Sequence, residues 1–178
     1  MVELPFGKGK RRLPDVTGVP GKLVSGWTIT GITTLQAGFP LALTSNATFL
    51  SADFGAGTPR PNVVPGSHKS MPGSATSRLN EWFNTACFTP APLFGFGDES
   101  RTDPNLRSAG INNFDFALTK PTAITERVKL QFDAEFFNLF NRVMFGEPGV
   151  QAGAPGFGAV TLQQNQPRLV QFAMRLTF

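Results

Sequence analysis

The sequence predicts an all-β chain of antiparallel strands, and two observations favour strands that cross a membrane as part of a barrel. The first is the alternation in residues 168–178. Apolar residues hold every second position, and small, polar or charged residues lie between them: Val170, Phe172, Met174, Leu176 and Phe178 against Gln171, Ala173, Arg175 and Thr177. Because successive side chains of a strand point to opposite faces, one face is apolar and the other is suited to water. This segment alone fits a transmembrane barrel and the last strand of a soluble sandwich about equally. The second observation is the length of the connections between the predicted strands.

Composition supports a chain with many turns. The 178 residues include 19 Gly and 15 Pro, and the aromatic residues are 18 Phe and 2 Trp without Tyr. No apolar run approaches the roughly 20 residues of a membrane helix. A mean hydropathy near zero is compatible with barrel strands, which alternate. The formal charge of +4 is modest, and its basic cluster around residues 8–12 lacks partnering aromatic residues, so we expect no nucleic-acid partner.

Four segments have the alternation of strands, at residues 24–37, 111–120, 127–140 and 168–178. Each is close to the roughly 9–11 residues that a tilted strand needs to cross a bilayer. The third segment has a helical alternative, because Val128, Phe132, Phe136 and Phe140 recur at every fourth position. Strict alternation over residues 128–136 favours the strand.

The connections between these strands are long, short and long. Residues 38–110 and 141–167 are rich in glycine, whereas only residues 121–126 separate the second and third strands. Outer-membrane barrels have this rhythm, with short periplasmic turns and long extracellular loops. The sequence therefore predicts two long extracellular loops, of which 38–110 is exposed and mobile relative to the strands.

Several groups of residues have the composition of chemical sites, and none predicts catalysis, a metal or a cofactor. Asp133 and Glu135 share a strand face, but they project side by side, as residues that line a barrel lumen do. The Gly95–Glu99 run lacks the features of a phosphate loop. Four residues could offer oxygens to calcium without matching an EF-hand, so a solvated loop is expected there: Asp98, Glu99, Asp103 and Asn105. His68 and Cys87 lack partners of matching spacing, and the Asn46-Ala47-Thr48 glycosylation pattern is short enough to occur by chance.

An ordered series of motifs runs through the whole chain. Its members are Leu4-Pro5-Phe6-Gly7-Lys8-Gly9-Lys10, Gly26-Trp27-Thr28-Ile29-Thr30-Gly31-Ile32, Gln36-Ala37-Gly38-Phe39-Pro40, Arg60-Pro61-Asn62, Trp82-Phe83-Asn84-Thr85-Ala86-Cys87-Phe88, Asn112-Asn113-Phe114-Asp115-Phe116, Phe136-Phe137-Asn138-Leu139-Phe140-Asn141, Phe145-Gly146, Phe157-Gly158 and Asn165-Gln166-Pro167-Arg168. Together they resemble the carboxyl-terminal barrel region of TonB-dependent outer-membrane receptors of the Oar-like group, which often carry a carboxypeptidase-regulatory-like domain.

The resemblance implies that residues 1–178 are the carboxyl-terminal β-barrel segment of a larger transporter that also has a plug. It implies contact with outer-membrane lipid, energy from the TonB system through other parts of the receptor, and recognition of the last strand and Phe178 by the barrel-assembly machinery. With about four of the family's many strands, the chain is expected to be a carboxyl-terminal fragment and not an enzyme. The transported ligand is not indicated. The alternative is a soluble β-sandwich that binds carbohydrate, with Trp27 and Trp82 as stacking surfaces.

Overall fold

The computed structural model describes residues 1–45, 58–91 and 95–178. In these ranges the chain forms eleven strands, one short α-helix and two 3-10 helices. The strands are β1 (Val2–Glu3), β2 (Thr28–Gln36), β3 (Pro40–Leu41), β4 (Thr44–Ser45), β5 (Asn62–Val63), β6 (Phe88–Thr89), β7 (Asp103–Arg107), β8 (Ile111–Ala123), β9 (Lys129–Phe137), β10 (Gln151–Ala152) and β11 (Leu169–Thr177); the helices are α1 (Gly18–Val24) and the 3-10 helices Thr76–Arg78 and Thr85–Cys87.

The chain divides into two compact units. The sheet unit comprises Met1–Leu35, Asn112–Arg142 and Gln166–Phe178, and the connection unit comprises Gln36–Ile111 and Val143–Asn165. In the parts of the chain that the structure describes, no helix is both long enough and apolar enough to cross a membrane.

The sheet unit is built around a five-stranded sheet of order β1-β2-β8-β9-β11. β9 pairs antiparallel with β8 and with β11, and the register with β11 is unbroken from Leu169 opposite Phe137 to Thr177 opposite Lys129. Residues directly opposite each other on antiparallel strands share a face, so the alternations of the separate strands add up to two continuous faces of one sheet.

Strand ends differ from the sequence-predicted bounds by a few residues. β8 continues through Pro121 to Ala123, so it includes the start of the predicted short turn. β9 ends at Phe137 because Asn138 takes a left-handed backbone conformation, with a φ of 50°. Asparagine tolerates this conformation better than other side chains with a Cβ, and the chain turns away from the sheet there. The helical alternative for this segment is not realised.

The long connections of the strands all depart from one end of the sheet. The end of β9 and the start of β11 lie there by register, and so does the start of β8. Gln36, at the end of β2, lies against Gly110, immediately before β8. The short turn between β8 and β9 is therefore at the opposite end of the sheet.

The connection unit has a hydrophobic core of its own. Its buried apolar side chains come from several separate short segments: Leu41, Leu43, Trp82, Phe83, Cys87, Phe88 and Leu106. Three phenylalanine rings, Phe83, Phe88 and Phe157, pack edge to face with centroid separations of 5.2–6.1 Å. The prediction of an exposed loop over residues 38–110 is wrong for these side chains, because paired short strands and a shared aromatic cluster bury them.

Small two-stranded pairings hold this unit together. β3 pairs with β7, β4 with β10, and β5 with β6. The pairing of β4 with β10 joins the first long connection to the second. Main-chain hydrogen bonds from Trp82 to Gly158 and from Val160 to Leu79 join them again, at 2.7 Å each. The two long connections are therefore one folded body.

Candidate functional site

One face of the sheet is apolar and open to its surroundings. On β11 the apolar row is Val170, Phe172, Met174 and Leu176, and Phe172 and Met174 are 67% and 69% exposed. Phe132 of β9 stacks on Phe172 at 6.1 Å and meets the Trp27 ring edge to face at 6.3 Å. A soluble protein rarely leaves so continuous an apolar row uncovered, whereas a barrel presents such a band to lipid.

The opposite face is polar. Asp133 and Glu135 both lie there, opposite Ala173 and Gln171 of β11. Both oxygens of Asp133 accept hydrogen bonds from Gln131 Nε2, at 3.0 and 2.9 Å. Asp133 is thus held by a neighbouring amide on the same strand, and the pair of carboxylates fits the lumen-lining role expected from the sequence.

Lys120 is the exception on the apolar face, since it pairs with Phe132. Its ammonium group donates to the main-chain oxygens of Lys22 and Ser25, at 2.6 and 2.9 Å, where α1 ends. It also lies 5.4 Å from the centre of the Trp27 ring. Free carbonyl groups at a helix end attract cations, so α1 provides this lysine with polar partners at the border of an apolar surface.

Asn138 organises the end of β9. Its main-chain N–H donates to Asp115 Oδ1, and its side-chain amide both donates to the Arg142 oxygen and accepts from the Arg142 N–H. The same amide donates to the Gln166 oxygen at 3.2 Å. One side chain therefore fixes the chain where it leaves and where it re-enters the sheet unit.

A buried charge cluster lies in the connection unit. Lys69 Nζ donates to Glu99 Oε2 and to Asp103 Oδ2, both at 2.7 Å. The side chains of Glu99 and Asp103 are only 1% and 2% exposed, and that of Lys69 is 22% exposed. The cluster holds two carboxylates and one ammonium group, and Lys69 lies 30 and 34 positions from its two partners along the chain.

These contacts shift two pKa values. Burial acts to lower the pKa of Lys69, but its hydrogen bonds to Asp103 and Glu99 outweigh burial and leave that pKa above its ordinary 10.5. Burial acts to raise the pKa of Asp103, but the hydrogen bonds from Lys69 and from the Asn105 N–H leave it below the ordinary 3.8. Both groups are therefore charged at neutral pH, and each stabilises the charge of the other.

The residues considered as calcium ligands have different partners in the structure. Asp98 accepts from the Val63 N–H at 2.7 Å, whereas Glu99 and Asp103 bind Lys69. The expectation of a solvated loop is wrong for Glu99 and Asp103, because an internal lysine allows their burial. Among the residues that the structure describes, no group of His, Cys, Asp and Glu is arranged to hold a metal ion.

The remaining candidates are structural in their contacts. Cys87 is buried in the core, and its thiol donates to the His68 main-chain oxygen at 3.3 Å. Asn84 Nδ2 donates to the same oxygen. The Asn46-Ala47-Thr48 pattern lies outside the described residues.

A recess of about 400 Å³ opens in the connection unit beside Trp82. The residues that line it include Arg78, Arg107, Val143 and Phe145. The Arg78 guanidinium lies over the Trp82 ring, with its Cζ 4.7 Å from the ring centre. Trp82 Nε1 donates to the main-chain oxygen of Arg107 at 2.7 Å, so the buried indole contacts the side chain of one arginine and the main chain of the other. The volume is in the range of small-molecule sites.

The sequence alone predicted neither the buried charge cluster of Lys69, Glu99 and Asp103 nor the recess beside Trp82. Lys69 stands in a loop-like stretch with no nearby carboxylate, and Arg78 precedes Arg107 by twenty-nine positions. Trp82 belongs to the ordered motif series and to the sandwich alternative, and neither predicts a recess beside it. Spacing carries no signal for such groups, because packing of distant segments brings them together.

An open antiparallel sheet with one exposed apolar face and one polar face defines the wall of a membrane barrel. The chain belongs to the family of outer membrane beta barrel domains, which matches residues 1–171. No curated protein and no solved structure matches it. The predicted fold class and the outer-membrane location are confirmed, and the soluble sandwich is not favoured. The sheets of the described residues do not close, as expected for part of a barrel.

Proposed function

We propose that this chain is part of a TonB-dependent transporter of the Oar-like group. In this proposal the sheet unit supplies barrel wall, and the connection unit is the extracellular part that contacts the transported ligand. The apolar face contacts lipid, the polar face lines the lumen, and the chain performs no catalysis. The TonB-dependent assignment is supported by the ordered motif series, since the family match itself extends only to an outer-membrane barrel.

The observation that carries the proposal is the folding of both long connections into one body with a core. Ordinary connecting loops are exposed and variable. A close-packed hydrophobic core instead holds the surrounding surface side chains in defined positions. In outer-membrane barrels the long connections face the outside and the short turns face the periplasm. A fixed surface on the outside is what ligand capture requires.

Proposed partners follow from the same arrangement. β11 is an edge strand of the sheet, with one side of its backbone unpaired among the described strands. An exposed edge can add to another sheet through its main chain, with alternate side chains setting the register. We infer that the barrel-assembly machinery engages β11 and Phe178 in this way. Contact with TonB belongs to other parts of such a receptor.

An epitope insertion tests the orientation. A tag after Ser74, in the connection unit, should bind antibody on intact cells. The matched control is the same tag between Thr125 and Glu126, in the short turn at the opposite end of the sheet, which should bind antibody only after the outer membrane is opened. The reverse pattern would overturn the proposed roles of both units.

The gene tests the TonB-dependent assignment. An open reading frame that continues upstream through further strands into a plug domain is expected. If the full reading frame instead encodes a barrel without a plug, the transporter assignment is wrong while the barrel assignment stands.

A further inference from the structure

We propose that the recess beside Trp82 is a binding site for small organic carboxylates that carry a hydrocarbon or ring portion. The inference deepens the proposed function, on which any role of this site in uptake rests, by naming the class of ligand.

The lining of the recess is positively charged. The described residues that line the recess include Arg78 and Arg107 but no Asp or Glu. Within the described ranges neither arginine forms an ion pair. Elsewhere in the connection unit, by contrast, Lys69 is paired with Glu99 and Asp103. Two arginines that line one recess without a carboxylate leave positive charge for a ligand to neutralise.

The guanidinium nitrogens of both arginines are only partly used. Arg78 Nη1 makes a long hydrogen bond of 3.3 Å to the Met71 oxygen, and its buried Nε has no partner among the residues that the structure describes. Arg107 donates from Nε to the Gly38 oxygen at 2.8 Å. Since each guanidinium carries five N–H donors, both groups retain donors for an anion. Planar guanidinium groups match the two oxygens of a carboxylate, which favours this anion over a spherical one.

Both arginines are held by contacts within the connection unit. Arg78 is held over the buried Trp82 ring, and the indole N–H holds the main chain of Arg107. The Trp82 segment is itself fixed by its hydrogen bond to Gly158. Arginines that are already positioned lose less side-chain freedom when a ligand binds.

Part of the wall of the recess is apolar. Val143 is 49% exposed, and Phe145 lies 6.4 Å from Trp82, so hydrocarbon surface is available next to the charged groups. A bare inorganic anion would leave this surface wet. A ligand with both a carboxylate and a hydrocarbon portion uses both parts of the recess.

The experiment is calorimetric titration of the complete chain, folded in detergent micelles, with cyclohexanecarboxylate and its neutral amide. The two probes have the same ring and differ in charge. We expect the acid to bind in about the millimolar range or tighter, as suits so small a ligand, and at least about tenfold more tightly than the amide. Added salt should weaken binding of the acid. Equal affinity for acid and amide, or no binding of either, would overturn the inference.

Variants locate the site. Arg78→Gln and Arg107→Gln should each lower the affinity for the acid about tenfold, because each removes charge-assisted hydrogen bonds. The matched control is Arg127→Gln, an exposed arginine outside the recess, which should bind normally. An equal loss in all three variants would show nonspecific attraction and reject the site. Should a recess variant fail to fold, the comparison of acid and amide on the unaltered chain still decides.

The experiments distinguish failure of the proposed ligand class from failure of the proposed extracellular orientation. Loss of acid selectivity together with an externally accessible Ser74 tag would reject the ligand class alone. Acid-selective binding together with a protected tag would reject the extracellular role alone.

Discussion

Replacement of Lys69 by methionine should destabilise the connection unit strongly. The change removes the ammonium group that binds Glu99 and Asp103 and keeps a side chain of similar length. Both carboxylate oxygens lie 2.7 Å from the same Nζ, so they are no further apart than twice that distance. At an effective dielectric constant of about 20, two like charges at this separation repel by about 3 kcal/mol. Loss of one partner from a buried ion pair typically lowers the free energy of unfolding by a similar 3–5 kcal/mol.

The assay is urea unfolding of the detergent-folded chain at pH 7, followed by Trp82 fluorescence in a Trp27→Phe background. Trp82 is buried in the connection unit, so its emission reports on that unit. The matched control is Lys10→Met, which breaks the exposed ion pair of Lys10 with Glu3 and should change stability by no more than about 1 kcal/mol.

If Lys69→Met unfolds at the same urea concentration as Lys10→Met, the buried cluster does not stabilise the unit and the electrostatic reasoning is refuted.

Three further predictions concern pH, packing and assembly. The pKa of Asp103 in the folded chain lies below 3.8, so the stability that Asp103 contributes is present above pH 3.8 and is lost as the pH falls through the folded pKa. The pKa of Lys69 in the folded chain lies above 10.5, so the stability that Lys69 contributes is present below pH 10.5 and is lost as the pH rises through the folded pKa. Urea unfolding at a series of pH values should show a smaller loss of unfolding free energy at acid pH in Asp103→Asn and at alkaline pH in Lys69→Met. Profiles of stability against pH that match that of the unaltered chain would contradict this. Gly97→Ala should destabilise the connection unit by about 1–3 kcal/mol, since a Cβ at that position would overlap the main-chain oxygen of Arg60, whereas Gly31→Ala places its Cβ at an ordinary 3.8 Å from the Asp115 oxygen and serves as the control in the same melts. Deletion of Phe178 should lower the amount of protein in washed outer membranes more than Thr177→Ser does, and equal amounts of both would argue against recognition of this terminus.

The sheet of this protein could be predicted from sequence because its signal is local. Residues two positions apart on a strand lie on the same face, so the alternation of Phe132, Ala134 and Phe136 is visible without a structure. The long, short and long connections between the four long strands were also visible in the sequence, whereas the pairing order of the strands came from the structure. The strand ends were less well determined, because the turn at Asn138 depends on contacts with Asp115, Arg142 and Gln166, which the local pattern does not contain.

The interior of the connection unit was decided only by tertiary structure. Its core residues occur singly or in short runs, so no periodicity marks Leu41, Leu43 or Leu106 as buried. Lys69 meets Glu99 and Asp103 across 30 and 34 positions, and the two arginines of the recess meet through Trp82. Charge pairing and recess formation depend on which distant segments pack together, whereas alternation depends only on neighbours along the chain. The sequence by itself therefore determined the strands of the barrel wall, and the packing of its long connections determined the buried core, the charge cluster and the recess.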